Sequence, residues 1–307
     1  MTPAHQTPLI SIITINYNQA DVTHDFLQSA KLLTYPNYEI ILVDNASTIP
    51  FVLPAEAAQG GAFWERVRVV RSEVNLGFTG GNNLGMAQAG GDYFFIVNND
   101  TELTASLLDE LLKPFALSPL IGVVCPKIKF FDMPNTVQFA GYGPMNMLTG
   151  TAHLVGFNQP DGVQYNRPGP THFAHGCAML VSRAVVAKVG RFAERFFLYY
   201  EELDWSQRIK DAGYVIHYQP TANILHKESV SVGRQSTLRT YYMTRNRILF
   251  IRRHGSWAQR LGFFAFFGVA VLPKHVASYL LAGQVPHARA FLRGLLWNLR
   301  SSTASAV

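Results

Sequence analysis

Short apolar runs that stop at polar residues recur through the first hundred positions. Residues 9–15 (LISIITI), 39–43, 67–70 and 93–97 are too short for helices and rich in branched or aromatic side chains, which predicts strands buried on both faces. Between them, residues 21–33 set Phe26, Leu27, Ala30 and Leu33 on one side of a helix, and residues 82–89 are helix-like. Strands and helices alternating at this spacing predict an α/β fold with a mostly parallel sheet, right-handed crossovers and flanking helices. In such sheets ligands gather at the carboxyl ends of the strands. The polar sets Asn16/Asn18, Asp44/Asn45 and Asn98/Asn99/Asp100 all fall there.

From about Cys125 to Gly176 the pattern loosens into Gly, Pro and aromatic residues, suited to shaping a pocket. Regular structure is expected again as a strand at 178–181, a helix at 204–212 closed by Gly213, a strand at 215–218 and a basic helix at 239–253. After Gly255 the character changes. Residues 261–272 (LGFFAFFGVAVL) are apolar throughout but meet Pro273-Lys274 after 12 positions, short of the roughly 20 that span a bilayer. Residues 284–300 set Leu292, Leu295, Leu296 and Leu299 against Arg289, Arg293 and Arg300. The division expected is a main domain of residues 1–255 and an apolar, basic helical tail of 256–307. An in-plane membrane helix is the sharper reading of the tail, and packing on the main domain or a partner is the alternative.

Charge sharpens this division. Residues 1–228 carry 15 Lys/Arg and 20 Asp/Glu, a net −5, whereas residues 229–307 carry 11 Lys/Arg and no acid, a net +11. Acid-free basic surroundings favour anionic headgroups. The arginines are interleaved with continuous apolar runs rather than stacking aromatics, so no nucleic-acid partner is expected. At 307 residues, 48% hydrophobic and 15% charged, the chain suits one large domain with an extension and leaves disorder to the ends. Cys125 and Cys177 lack a CxxC or Cys/His cluster, which predicts free thiols rather than a disulfide or zinc site. Residues 1–8 show neither a basic n-region nor an apolar h-region, so no secretory signal is expected.

Four constellations carry candidate chemistry. Asn98-Asn99-Asp100 follows an apolar strand, where Asp100 could ligate Mg²⁺ or Mn²⁺ and Asn98 could add an amide oxygen or hold a water. The same pair also serves as a turn or N-cap. In Asn75-Leu-Gly77-Phe-Thr-Gly80-Gly81-Asn82-Asn83-Leu-Gly85, the glycines would let backbone amides approach a diphosphate at a helix N-terminus. This stretch matches neither GxGxxG nor GxxxxGK[ST], which counts against a dehydrogenase and a P-loop ATPase; a plain Gly-rich turn is the alternative. Glu201, Glu202 and Asp204 open a helix after the aromatic run Phe196-Phe-Leu-Tyr-Tyr200. Acids there suit the helix dipole, and acids among aromatics also risk desolvation, which makes a stronger base. Last, His226 follows a strand and turn, in a position open to a structural or a metal-binding role.

These four constellations, in this order, resemble the family 2 glycosyltransferases, especially their rhamnosyltransferase-like and galactofuranosyltransferase-like branch. The resemblance covers about residues 8–254. It includes Ile13-Thr-Ile-Asn-Tyr-Asn18, Val43-Asp-Asn45, the Asn75 to Gly85 stretch, Asn98-Asn-Asp100, Gly176-Cys-Ala-Met-Leu-Val181, Glu201-Glu-Leu-Asp204 and Arg245-Asn-Arg247. It implies a GT-A fold, Rossmann-like, and an inverting, metal-dependent transfer of a sugar from a nucleotide diphosphate, with dTDP-rhamnose the favoured donor. It places Asn16, Asp44 and Asn82 on the nucleotide, with Asn18, Asn45, Asn75, Gly77, Gly80 and Asn99 as further nucleotide-binding candidates, and the metal at Asn98 to Asp100 with His226. Glu202 takes the position of the usual catalytic Asp, and Arg245 or Arg247 would assist the leaving phosphates. Two departures stand out: Asn98 replaces the first Asp of the metal motif, and Glu202 is one methylene longer than Asp, which leaves Glu201 or Asp204 as alternatives. A glycan or lipid-linked acceptor and a peripheral position on the cytoplasmic face of the cell membrane follow as expectations. A non-catalytic sugar- or nucleotide-binding protein and a sugar nucleotidyltransferase are the rivals; the second should carry Gly and Lys/Arg after the first strand, and Asn16-Tyr-Asn-Gln-Ala20 has neither.

Overall fold

The computed structural model describes residues 7–227 and 236–303. The first half alternates strands and helices: β1 (Ile10–Asn16), α1 (Ala20–Ala30), β2 (Tyr38–Asn45), β3 (Val67–Ser72), α2 (Gly77–Gln88) and β4 (Tyr93–Val97). β5 (Thr101–Leu103), α3 (Leu107–Leu112), β6 (Ile121–Phe130), β7 (Thr136–Phe139), β8 (Gln159–Pro160) and β9 (Gly169–Pro170) follow. The chain continues through β10 (Ala178–Ser182), α4 (Arg183–Val189), α5 (Glu201–Asp211), β11 (Val215–His226) and α6 (Thr237–His254). Its last helices are α7 (Trp257–Phe266), α8 (Leu272–Leu281) and α9 (Val285–Arg300).

One sheet runs in the order β3-β2-β1-β4-β10-β6-β11-β5. The anticipated parallel arrangement holds for β3, β2, β1 and β4. Beyond them the sheet is mixed, with β10 antiparallel to both β4 and β6, β11 parallel to β6, and β5 antiparallel to β11. The strands of the parallel half are legible because helices cover both faces: Ile10, Ile12, Ile13, Ile40, Ile41, Leu42, Phe95 and Ile96 are fully buried. Each such side chain contributes about 1.5–3 kcal/mol of burial.

Three differences from the sequence reading have physical causes. The segment after Cys125, expected as loop, begins inside β6. Pro126 and Lys127 break its apolar pattern, yet Pro126 sits where the β11 register shifts between Gln219 and Asn223, a bulge that tolerates a missing N–H. Buried Lys127 donates to Asp161 Oδ1 (2.9 Å) and to Asn166. Second, α2 begins at Gly77, so the Gly-rich stretch is helix rather than loop. A Cβ at Gly85 would lie 2.4 Å from Ile13 Cγ2 and one at Gly81 2.7 Å from Ile15 Cδ1, so these glycines bring α2 close against β1.

Third, Pro273 does not end the apolar segment. A π-helical turn at Phe267–Val271 joins α7 to α8, and a widened turn accommodates the ring and missing N–H of the proline that follows. The resulting helix, Trp257–Leu281, is 25 residues long, with a mean hydropathy of 1.5 over its most apolar 18-residue stretch, long and apolar enough to cross a membrane by length and composition. Phe263, Phe267 and Val271 pack on Ile248, Phe250, Ile251 and Phe291, while Trp257, Leu261, Phe264, Val269, Leu280 and Leu281 are exposed. α9 lies along α6, crossing where Gly294 meets the backbone of Tyr241 and Arg245. Asn298 Nδ2 donates to Arg245 O (2.9 Å), and Arg252 Nη1 donates to Asn298 Oδ1 (3.0 Å). The 255/256 division therefore falls at a helix junction, capped by Ser256 and Gln259, across which the two segments share a core. Cys125 and Cys177 are buried and unbridged.

Candidate active site

A cavity of about 580 Å³ opens at the carboxyl ends of β1, β2 and β4. Tyr17, Asn45, Asn75, Gly77, Asn82 and Asn98 to Asp100 line it from the parallel half. Gln138, Tyr142, His175, Glu202, His226 and Arg239 line it from the mixed half and α6. Of the nucleotide positions anticipated, the cavity thus gathers Asn45, Asn75, Gly77, Asn82 and Asn99. Asn45 holds the turn before α2: its Nδ2 donates to Asn75 Oδ1 (3.1 Å) and Gly77 O (3.2 Å), and its Oδ1 accepts from Leu76 N (2.9 Å). Gly77 has φ +67°, and a Cβ there would lie 2.5 Å from Phe197 O, so both conformation and space demand glycine.

Asn16, Asn18, Asp44 and Gly80 do not line this cavity. Asn16 spends its amide on Asp44 Oδ1 (3.2 Å), Ser47 Oγ (3.0 Å) and Thr23 Oγ1 (2.9 Å). Asn18 Oδ1 accepts from Thr48 N (2.7 Å). Asp44 accepts from Phe51 N (3.1 Å) and pairs with Arg71. Burial opposes its charge, but the bonds from Ser47, Phe51 and Asn16 and the Arg71 cation hold the carboxyl below its ordinary value. Gly80 lies within α2, where a Cβ would meet Leu76 Cβ at 2.7 Å.

The register of the sheet edge creates the candidate metal position. β5 pairs antiparallel with β11 so that Thr101 faces His226, which brings the neighbouring Asp100 to the imidazole. Asp100 Oδ1 and His226 Nε2 lie 3.1 Å apart. Both atoms are buried, and neither makes a hydrogen bond of acceptable geometry. On the other side of the ring, Nδ1 is 2.8 Å from Gln138 Oε1. An amide oxygen only accepts, so Nδ1 carries a proton and Nε2 is the atom turned to Asp100; burial opposes the imidazolium, but Cys177 and Asp100 raise the His226 pKa well above its ordinary value, so without a cation the two form an ion pair. A divalent cation in place of the Nε2 proton would take one carboxylate oxygen and one imidazole nitrogen from this buried pair, with its remaining ligands from substrate phosphates and water. Among the described residues no cluster of three or more His, Cys, Asp or Glu surrounds it, and Asn98 lies on the same cavity wall. Gln138 gave no sequence signal; a neutral amide in a loop-like stretch carries no periodicity.

Glu202 supplies the second chemical element. It lines the cavity, and its Oε2 is enclosed without a partner. Burial pushes its pKa up to about 7 despite bonds from the backbone at the head of α5. Glu201, buried off the cavity, is pushed well above the carboxylate range by burial and by the Glu202 charge. Asp204 has the opposite environment. Fully buried, it receives Arg208 Nε (2.9 Å), Arg253 Nε (3.0 Å) and His254 Nε2 (2.8 Å), and against the desolvation these partners lower its pKa. With its lone pairs engaged and its basicity depressed, Asp204 is a structural anchor between α5 and α6, not an alternative base.

The turn that presents the carboxylates is strained. Phe197, Tyr199 and Tyr200 all have positive φ (62°, 68° and 69°), each costing about 1–3 kcal/mol. Asn246 offsets this: its Nδ2 points at Phe196 O (2.9 Å), Leu198 O (2.8 Å) and Tyr199 O (2.7 Å). Arg245, stacked on Tyr242 and Trp297, donates to Arg195 O and Phe196 O. Arg247 donates to Thr149 O and lies over Phe267. Neither arginine lines the cavity, so the expectation that they meet leaving phosphates is corrected. The Arg245-Asn246-Arg247 motif clamps backbone, and Asn246, which sequence reading passed over, is its centre.

A parallel half with amides at its strand ends, joined to a mixed half that brings a carboxylate–imidazole pair and an enclosed glutamate to one cavity, defines a GT-A glycosyltransferase architecture. Residues 11–190 match the family described as Glycosyl transferase family 2, and the chain belongs to that family. It is similar to the N-acetylglucosaminyl-diphospho-decaprenol L-rhamnosyltransferase of Mycobacterium tuberculosis, 26% identical over 273 residues, covering 82% of this chain and 87% of that one. This agrees with the rhamnosyltransferase-like branch anticipated from sequence. Among solved structures it resembles the mannosyltransferase PcManGT from Pyrobaculum calidifontis in complex with GDP-Man and Mn²⁺, at TM-score 0.56 and 16% identity, over 96% of this chain and 81% of that one. GalNAc-T7, solved with UDP, GalNAc and Mn²⁺, gives TM-score 0.59 at 15% identity, over 89% of this chain and 58% of that one. At these identities the likeness establishes the fold.

Proposed function

We propose that this glycosyltransferase is inverting and metal-dependent, and moves L-rhamnose from dTDP-rhamnose to a lipid-linked sugar acceptor during cell-surface polysaccharide synthesis. The observation that carries the reading is the placement of enclosed Glu202 and the convergent Asp100–His226 pair on one cavity. Among the described residues, Asp100 and Glu202 are the only carboxylates lining it. With Asp100 assigned to metal, no second carboxylate remains to form a glycosyl-enzyme intermediate. A single displacement inverts the anomeric carbon.

In this mechanism Glu202 accepts the proton of the acceptor hydroxyl. A base that titrates near the operating pH combines an ionised fraction with enough basicity to draw that proton in the transition state. Asn45, Asn75, Gly77, Asn82 and Asn99 hold and orient the nucleotide. Asp100 and His226, with Asn98 beside them, would hold Mg²⁺ or Mn²⁺, which when bound offsets charge on the departing nucleotide diphosphate. Gln138 keeps His226 in the tautomer that this requires. The donor follows from similarity to a relative named an L-rhamnosyltransferase whose name also specifies a diphospho-decaprenol-linked sugar.

The exposed apolar face of α7 and α8, flanked by Arg260 and Lys274, rests on the cytoplasmic face of the cell membrane. Because Phe263, Phe267 and Val271 on the opposite side are committed to the protein core, the helix lies in the interface rather than crossing it. Purified full-length chain incubated with dTDP-, UDP- and GDP-sugars, with nucleotide release followed, tests the reading. Release from dTDP-rhamnose should exceed the others, stop in EDTA and return with Mn²⁺ or Mg²⁺. Preference for a UDP- or GDP-sugar, or full activity in chelator, would contradict the donor or the metal respectively.

A further inference from the structure

His175 stands just before the Gly176 to Val181 segment that leads into β10, and it lines the catalytic cavity. Two neighbours fix the plane of its ring. Phe139 packs on it with centroids 5.1 Å apart, and Tyr142 lies nearly parallel to it, 19° off plane, at 6.2 Å. A third neighbour fixes its proton. Cys177 N donates to His175 Nδ1 (3.1 Å), so Nδ1 holds a lone pair and the proton of the neutral ring sits on Nε2. Burial, helped by the nearby His226, pushes the His175 pKa down to about 3, which keeps the ring uncharged. Among the described residues Cys177 N is the only hydrogen-bond partner of this ring, so Nε2–H is a donor on the cavity wall with no protein acceptor.

The place of the ring decides what that donor meets. Gly176, the next residue, packs on the stem of Glu202: a Cβ there would lie 3.8 Å from Glu202 Cβ. On the other side, the Phe139 that packs on the ring follows Gln138, which holds His226. His175 is thus flanked by the glutamate and by the Asp100–His226 pair. In a single displacement the acceptor hydroxyl lies at the base and the departing oxygen at the cation, and the group between them is the ring of the transferred sugar. A phosphoryl oxygen would call for a cationic donor, whereas a neutral N–H suits a neutral hydroxyl.

We infer that His175 is a specificity-determining residue whose Nε2–H donates to a ring hydroxyl of the transferred sugar. The assignment rests on reading the chain as a sugar-nucleotide transferase, and deepens that reading by naming a side chain that recognises the sugar rather than the nucleotide. It also explains why the ring is pinned on three sides: the donor is held in place before the sugar arrives, so little ordering is left to binding.

Two substitutions separate the two nitrogens. In His175→Asn the amide oxygen takes the place of Nδ1 and can still accept from Cys177 N, but nothing reaches the position of Nε2. In His175→Gln the terminal amide reaches that position and supplies a donor again. The probe is the sugar nucleotide selected by the panel above, dTDP-rhamnose on the donor reading, beside its monodeoxy analogues and its bare nucleoside diphosphate. Binding to the full-length chain with Mn²⁺ is measured calorimetrically. His175→Asn should leave the nucleoside diphosphate within twofold of wild type and weaken the sugar nucleotide by about tenfold, and His175→Gln should recover most of that loss. One monodeoxy analogue should bind wild type about tenfold more weakly than the parent compound yet bind the Asn variant as well as the parent does, because one hydrogen bond is lost only once. An unchanged sugar-nucleotide affinity in His175→Asn, equal losses for sugar nucleotide and nucleoside diphosphate, or losses that add for every analogue would overturn the assignment. A panel that selects another sugar corrects the donor reading and changes the probe, whereas these outcomes judge His175 whichever sugar is carried.

Discussion

Replacing Asn246 should separate positioning of the catalytic carboxylate from mere stability. The Asn246 amide has two hydrogens shared among three carbonyls, of which Phe196 O keeps the Arg245 donor when Asn246 is gone. Asn246→Ala therefore strands Leu198 O and Tyr199 O, and also Arg245 Nε, which donates to Asn246 Oδ1 (2.8 Å). At about 1–2 kcal/mol for each lost bond and its unsatisfied partner, the direct cost is about 3–6 kcal/mol. The turn has a cheaper escape, because three residues at positive φ store strain of similar size, so residues 197–200 should relax toward ordinary backbone. Glu202 begins two residues later and would move with them, and a displacement of about 1 Å lowers a rate by roughly 10²-fold. The expected outcome is a melting temperature lower by only a few degrees, measured by calorimetry, with kcat down about 10²-fold at unchanged folded fraction. Asn246→Asp, which aims a carboxylate at three carbonyl oxygens, should be worse on both counts. A kcat within twofold of wild type for Asn246→Ala, with the melting temperature reduced, would show that the clamp holds the fold but does not position Glu202.

The pH profile of kcat/KM should rise through about 7 and then level, because only ionised Glu202 accepts a proton and burial sets its pKa there; a profile flat from pH 5.5 to 8 would refute this assignment. The same shift has a stability counterpart: a carboxyl raised from 4.5 to about 7 favours the fold fully below 4.5 and loses that contribution as pH rises through 7, so Glu202→Gln should flatten the decline in melting temperature between pH 4.5 and 7. Asp100→Ala should abolish Mn²⁺ binding measured by electron paramagnetic resonance, and unchanged Mn²⁺ affinity would move the metal elsewhere. The full-length chain should pellet with anionic liposomes and release only partly in high salt, since salt screens the basic residues but not the apolar face; replacing exposed Leu261, Phe264 and Val269 by Ser should abolish pelleting, and persistence of binding would place the membrane contact elsewhere.

The parallel half was legible because double burial leaves continuous apolar runs, and its strand ends pointed to the cavity through their polar residues. β6 was hidden by Pro126 and Lys127, whose fitness for a strand depends on a bulge and an ion pair supplied from distant segments. The length of the tail helix was hidden by Pro273, since a π-turn leaves no mark in sequence. At the site, the carboxylates of Asp100 and Glu202 announced themselves by position, but charge alone misled elsewhere. Arg245 and Arg247 face backbone carbonyls rather than phosphates, and Asp44 is held by Arg71. Gln138 and Asn246 act through hydrogen bonds across 88 and about 50 positions of chain, distances over which local pattern carries no information.

The most direct test of the account is the single-turnover rate of Glu202→Gln with saturating dTDP-rhamnose and a lipid-linked acceptor, measured beside its affinity for the donor. Gln keeps the shape of the side chain and removes the oxygen that takes the proton. The account predicts a chemical step slower by about 10²- to 10⁴-fold with donor affinity within a few-fold of wild type. A single-turnover rate close to wild type would contradict it, and would remove Glu202 as the base.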